Sequence, residues 1–277
     1  MGADSLARRV IKNLLYPVLT EDRYAYVVAL SKAWDIRTHS DSEPEIDLVP
    51  LAVRKGDTVL DLGANFGYYT YPLSRAVGPS GRVFAFEPIP FTCQTLEVVT
   101  RLLRLRNVEI IPKGCSDRAG AVMFEVPTQA NGAPNAGQAY LGGRNEDRPG
   151  KDTQVRWKGT RQVTAEVLRL DDFLPSVSDL SFIKADIEGA ELFAFRGGER
   201  TISKHLPTVL CEINPWFLEG FGIKLDELAN FFFERGYRLY HYQDRKLRVI
   251  PVSAVVEDNY VFVHPSRAER LRFTIED

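Results

Sequence analysis

The sequence predicts an α/β fold, a mainly parallel sheet covered by helices on both faces. Two observations predict it. From Asp57 onward, short apolar runs alternate with helix-length segments: "TVLDLG", "RVFAFEP", "VEIIPKG", "LSFIKADIEG", "TVLCEIN", "YRLYHY" and "NYVFVH". Strands buried on both faces read as such continuous runs. The chain of 277 residues is also 44% hydrophobic, enough for a full core.

Residues 1–50 read as a helical N-terminal segment. Leu6, Val10, Leu14 and Leu15 fall at helical spacing and stop before Pro17, and a second helix follows near Asp22 to Ala33. Residues 51–277 form the main domain. Its first strand ends at Asp61, with a helix expected from around Phe66, and its second ends at Glu87. Pro88 and Pro90 then turn the chain into a helix carrying Leu96, Val99 and Leu103. After the third strand the rhythm breaks. "GAVMFEVP" and "RQVTAEVLRL" read as two extra strands around a Gly/Asn/Pro-rich insertion, about residues 127–160. A loop of that length reads as a substrate-side element that moves in the absence of substrate, with plain disorder as the alternative. The last strand, "NYVFVH", is followed by a short charged tail.

A net charge of −2 and a pI near 6.2 argue against a chain built to wrap nucleic acid, although a local basic groove stays compatible with them. Cys93, Cys115 and Cys211 are odd in number and lack metal or redox spacing, so reduced thiols are expected. Arg8, Arg9 and Lys12 interrupt the first apolar run, no cleavage site follows, and no stretch is long enough to span a membrane. The expected location is the cytoplasm, with no membrane partner and oligomeric state left open.

The turn Asp61-Leu62-Gly63-Ala64-Asn65-Phe66-Gly67 lies where open α/β sheets place ligands. A carboxylate at the strand end disfavours the pyrophosphate of a dinucleotide and suits a cationic amino-acid head group. S-adenosylmethionine carries an α-ammonium, a carboxylate, a sulfonium and an adenosine, and fits this turn. Glu87, at the next strand end, is placed to accept two ribose hydroxyls, a feature nicotinamide enzymes share. Ser116 or Asp117 would lie near an adenine, with Cys115 against the ring; "SDRAG" reads equally as a turn.

A second cluster sits at the end of the fourth strand. Lys184, Asp186 and Glu188 alternate there, and Glu212 and Asn214 at the next strand end should share a face and approach Asp186. Solvated strand-end acids are the bland alternative for each.

Taken in order, "LDLGANFGYYT", "VFAFEPIP", "GCSDRAG", "RLDDFL", "FIKADIEGAEL" and "LCEIN" resemble the motifs of FkbM-type methyltransferases, a branch of the class I S-adenosylmethionine-dependent enzymes. The resemblance covers roughly Asp57 to Tyr242. It implies a Rossmann-like, seven-stranded, mostly parallel sheet with a reversed last strand, and O-methylation of sugar, polyketide or other natural-product hydroxyls. By matching position, Asp61, Gly63, Asn65 and Gly67, with Ala64 in the same turn, would hold the methionine part, and Glu87, beside Pro88, the ribose. Ser116 and Asp117 would lie near adenine, and Asp186 and Glu188 beside the methyl group.

Removal of the acceptor's proton falls to Asp186 or Glu212 by position, with His241 an outsider. Asp186, Glu212 and Asn214 also resemble the oxygen ligands of metal-dependent catechol-type enzymes, which suit Mg²⁺. The expected partner is a small hydroxylated substrate rather than nucleic acid. A nicotinamide-dependent reductase and a non-catalytic S-adenosylmethionine-binding module are the rival readings.

Overall fold

The computed structural model describes residues 16, 18–38, 43–128, 132–146, 159–173, 179–272 and 274–276. The expected helix through Leu6 to Leu15, and residues 129–131 and 147–158 of the insertion, lie outside the described residues. The second expected helix is present and longer, Glu21–Thr38.

The first three strands are β1 (Thr58–Leu62), β2 (Arg82–Phe86) and β3 (Val108–Ile111). Next come β4 (Gly114–Cys115), β5 (Gly120–Thr128), β6 (Tyr140–Leu141) and β7 (Gly159–Leu168). The chain continues through β8 (Leu180–Ala185), β9 (Thr208–Ile213), β10 (Arg238–Gln243), β11 (Lys246–Val249), β12 (Asp258–Val263) and β13 (Thr274–Glu276).

The main sheet runs β13-β11-β10-β12-β9-β8-β1-β2-β3. β12, the "NYVFVH" strand, is antiparallel to both neighbours, as the reversed last strand requires. Among the described residues the sheet has nine strands rather than seven, because β11 and β13 extend its edge. β11 is paired through a hairpin whose tip residues Asp244 and Arg245 both have positive φ, 52° and 60°. Glycine or asparagine usually marks such turns, so "DR" hides one. The tail, read as merely charged, supplies β13. The two expected extra strands are β5 and β7. They pair along their full length and, with β4 and β6, make a separate four-stranded sheet.

The apolar sides of the strands explain the layering. Leu60, Leu62, Phe84 and Phe86 face one side with Ile183, Cys211 and Phe232, whereas Val59, Val83, Phe182 and Leu210 face the other with Leu48 and Leu73. Both faces of β1 and β8 are therefore dry, and a polar group at these strands must emerge at their ends. Strand order reverses between β1 and β8, so a crevice opens at their carboxyl ends.

Candidate active site at the carboxyl ends of the strands

The first half of the site is the turn after β1. Asp61 lies opposite Lys184 in the parallel register. Its Oδ2 accepts from Thr70 Oγ1 at 2.6 Å. Burial pushes this carboxyl up to about 6, against the pull of Thr70 and Lys184. Gly63 then takes a φ of +78°, and a Cβ there would sit 1.9 Å from the Asp186 carbonyl oxygen. Only glycine lets the turn cross the end of β8 so closely.

Asn65 also has positive φ, 50°, and Gly67 follows at 95°. These two residues delay the helix to Thr70–Val77, four residues later than expected. Glu87 fastens the turn. Its Oε2 accepts from the Asn65 N–H at 3.0 Å and its Oε1 from the Ile89 N–H at 2.9 Å. Burial nonetheless raises this carboxyl to about 7.

A donor with a cationic head group and a ribose fits these residues. Asp61 and Glu87 keep acceptor lone pairs beyond the bonds described, and both are held up by burial, as acids short of donors are. Asn65 Oδ1 is buried without a partner among the described residues. Gly137, from the inserted segment, closes over it by accepting from Asn65 Nδ2 at 3.3 Å.

Ser116 is buried, its N–H donating to Leu168 O at 2.9 Å, while Asp117 is exposed and accepts from Ser116 Oγ at 3.2 Å. The helix Glu191–Gly197 packs directly on this turn, since a Cβ on Gly197 would lie 1.9 Å from Ser116 O. Pro88 borders the same region, near Gly114.

At the second cluster, β8 and β9 bring three of the expected side chains together. Asp186 and Glu212 share a hydrogen bond, and Glu212 is raised well above the ordinary carboxyl range by the neighbouring Asp186 charge and by burial. Lys184 Nζ lies 3.6 Å from Asp186 Oδ2 and donates to Asn259 Oδ1 at 2.9 Å. Burial opposes its charge, but Asp186, Glu212 and Glu43 outweigh that and raise it. A buried ammonium thus sits beneath a carboxyl pair.

Asn214 goes elsewhere. Its Oδ1 caps the helix Pro215–Gly220 by accepting from the Phe217 N–H at 3.1 Å. Among the described residues no group of three or more His, Cys, Asp or Glu side chains could hold a metal ion. The Mg²⁺ reading of Asp186, Glu212 and Asn214 therefore gains no support from this donor set. His241 pairs with Asp258 at 3.1 Å, and both belong to the strands beyond β9.

Several residues escaped the sequence reading. Glu191 Oε1 accepts from the Ile187 and Gly189 N–H groups at 3.0 and 3.2 Å. These bonds hold Glu188 between them in the left-handed region, φ 58°, at a cost of about 1–2 kcal/mol. Its position three residues after Glu188 was the available signal.

Glu43 accepts from Tyr69 Oη at 2.6 Å and from Asn259 Nδ2 at 3.2 Å, linking the N-terminal segment to Lys184 through Asn259. Arg144, from the insertion, donates to Glu188 O at 2.8 Å, with its guanidinium 3.7 Å from the Tyr140 ring centre and 4.1 Å from that of Phe217. No periodicity in the insertion announces it.

No helix among the described residues is long and apolar enough to cross a membrane. Among curated proteins, the chain is 29% identical over 147 residues to Methyltransferase 1 of Beauveria bassiana, covering 50% of this chain and 57% of that protein. It is 36% identical over 61 residues to protein-L-isoaspartate O-methyltransferase 2 of Archaeoglobus fulgidus, covering 22% and 28%. The chain thus spans little more than half of the first and about a quarter of the second.

A solved methyltransferase FkbM from Methylobacillus flagellatus shares the fold, with a TM-score of 0.50 at 20% identity, over 94% of this chain and 60% of that one. The model of the methyltransferase FkbM domain matches residues 61–239, a span that opens at Asp61 and takes in Glu87, Asp186 and Glu212. The β1–β8 crevice and the two clusters flanking it are accordingly those of an FkbM methyltransferase domain, and the chain belongs to that family.

Proposed function

We propose that this chain methylates a hydroxyl oxygen of a small hydroxylated molecule, such as a sugar or polyketide, with S-adenosylmethionine as donor. The observation that carries the reading is the Asp186–Glu212 carboxyl pair over the buried Lys184, at the crevice beside Gly63. The donor would supply an electrophilic methyl carbon whose bond to sulfur breaks as the bond to oxygen forms. Asp61 would face the cationic head group, Glu87 the ribose, and Ser116 with Asp117 the adenine.

The protein's chemical task is to hold the acceptor oxygen in line and to take its proton. A pair sharing one proton carries one negative charge, and that charge takes the proton. Lys184 keeps the pair from becoming neutral, because an ammonium at 3.6 Å favours one ionised oxygen. Glu43 and Glu188 add further acids near these groups. Such a mouth favours a neutral or cationic acceptor over a phosphate-rich one.

The test is methyl transfer from labelled donor to a panel of glycosides, phenols and polyketide alcohols. Glu212→Gln should lower kcat about 100-fold or more, with S-adenosylhomocysteine affinity within threefold of the parent. Methylation of amines but not alcohols would overturn the oxygen assignment. Tight product binding with no methylated acceptor across the panel would favour a binding module.

A further inference from the structure

The opposite end of the sheet carries a different chemistry. A groove of about 1040 Å³ opens at the amino ends of β1, β2 and β3. Lys55, Arg75, Arg82, Arg104 and Arg106 line it, with Glu109 as the opposing charge. All five cations are exposed, and among the described residues none pairs with a carboxylate. This is an unusual concentration in a chain whose net charge is −2.

The groove's walls are fixed before any ligand arrives. Asn107 ties them together, its Oδ1 accepting from Ser74 Oγ at 2.5 Å and its Nδ2 donating to Ser74 O and Gly78 O at 2.9 and 2.7 Å. Arg104 is held there at a cost. Its φ of 57° lies in the left-handed region, at the end of the helix Pro90–Leu102 where glycine is the favoured residue. A backbone outlier that keeps a long cation in a cationic groove points to a use for that side chain.

We propose that this groove is a second ligand site, separate from the methyl-donor crevice, which takes an oligophosphate group. Guanidinium groups match phosphate oxygens in pairs, and several of them around one concavity suit adjacent phosphates. The ligand is read through its phosphates rather than through a base, because no aromatic side chain lines the groove to stack on one. A rival account is that Arg75 and Arg104 complement the negative ends of the helices Thr70–Val77 and Pro90–Leu102. That account predicts lost stability on neutralisation and no ligand.

The experiment titrates the full chain with inorganic tripolyphosphate by calorimetry at two salt concentrations. S-adenosylhomocysteine titrations serve as the control for folding. Saturable binding is expected, weakened about tenfold or more by R104E/R106E and severalfold between 0.05 and 0.3 M salt, while affinity for S-adenosylhomocysteine stays the same.

R75Q supplies a milder variant, should the double one fail to fold, and is expected to weaken tripolyphosphate binding by about threefold or more. Absence of binding by the parent chain, or binding unaltered in a folded variant, overturns the proposal. Tighter binding of an RNA duplex than of tripolyphosphate at equal phosphate concentration also overturns it, in favour of a nucleic-acid surface.

Discussion

Replacing Glu87 by Gln removes a titration from a buried position while nearly preserving side-chain size. In the ligand-free protein this carboxyl is raised from 4.5 to about 7, by burial and despite two N–H donors. Between those values the folded chain holds a proton that the unfolded chain releases. The group's contribution to stability is therefore full below 4.5 and is lost as pH rises through 7. At about 1.4 kcal/mol per pH decade, the loss is about 3 kcal/mol.

The Gln variant has no such term. Its amide oxygen keeps one of the two N–H bonds and leaves the other amide short of an acceptor, which costs about 1–3 kcal/mol. The parent should thus be clearly more stable at pH 5, with the gap nearly closed at pH 8. A chain of this size shifts by about 2 °C per kcal/mol, so the melting-temperature gap should narrow by about 6 °C. Circular-dichroism melts at pH 5 and pH 8 measure it. Parallel pH dependence in the two proteins would refute the argument. Saturating S-adenosylhomocysteine should flatten the parent's decline, since ribose hydroxyls favour the ionised carboxylate.

Three further outcomes follow from the same geometry. Donor affinity should rise with pH first through about 6, as Asp61 ionises, and then through about 7 with Glu87, and Asp61→Asn should remove the lower step alone and weaken binding about tenfold or more; a pH-independent calorimetric affinity in the parent would oppose this. Gly63→Ala would force a Cβ onto the Asp186 carbonyl, and should lower the melting temperature by about 8 °C or more, or prevent folding; a normal melt would show that the two segments do not touch. Arg144→Ala should cost about 2–3 kcal/mol and speed hydrogen exchange in residues 140–146 and 187–189 together; exchange altered in one segment alone would break the proposed link.

The repeating apolar runs made the central sheet legible, because β1, β8 and β9 are buried on both faces and leave an uninterrupted apolar record. The inserted pair was legible as two strand-length runs bracketing a Gly/Asn/Pro-rich stretch, whereas the reversal of β12 was implied by the family resemblance and not by any local pattern. β11 was not, since its hairpin tip is Asp244-Arg245 and the positive φ values are imposed by pairing rather than by residue type. At the site, Asp61, Glu87, Asp186 and Glu212 could be placed by their position at strand ends. Asn214 misled because alternation along β9 stops where the helix after it needs a cap. Glu43, Asn259 and Arg144 reach the site from distant parts of the chain, and no local pattern encodes such meetings.

The Arg144 guanidinium, clasped by Tyr140 and Phe217 while bonded to the Glu188 carbonyl, bears on how enzymes of this architecture can be recombined. If the insertion lies on the acceptor side, as the sequence leads one to expect, it is the cassette to exchange when a new acceptor is sought. A graft cut at its strand boundaries would bring in a foreign residue 144 while leaving Phe217 and the Glu188 turn of the recipient behind, so the transplanted piece would lose its anchor. Chimeras should therefore carry Tyr140 and Arg144 together with the stretch from Glu188 to Phe217, as one inherited unit.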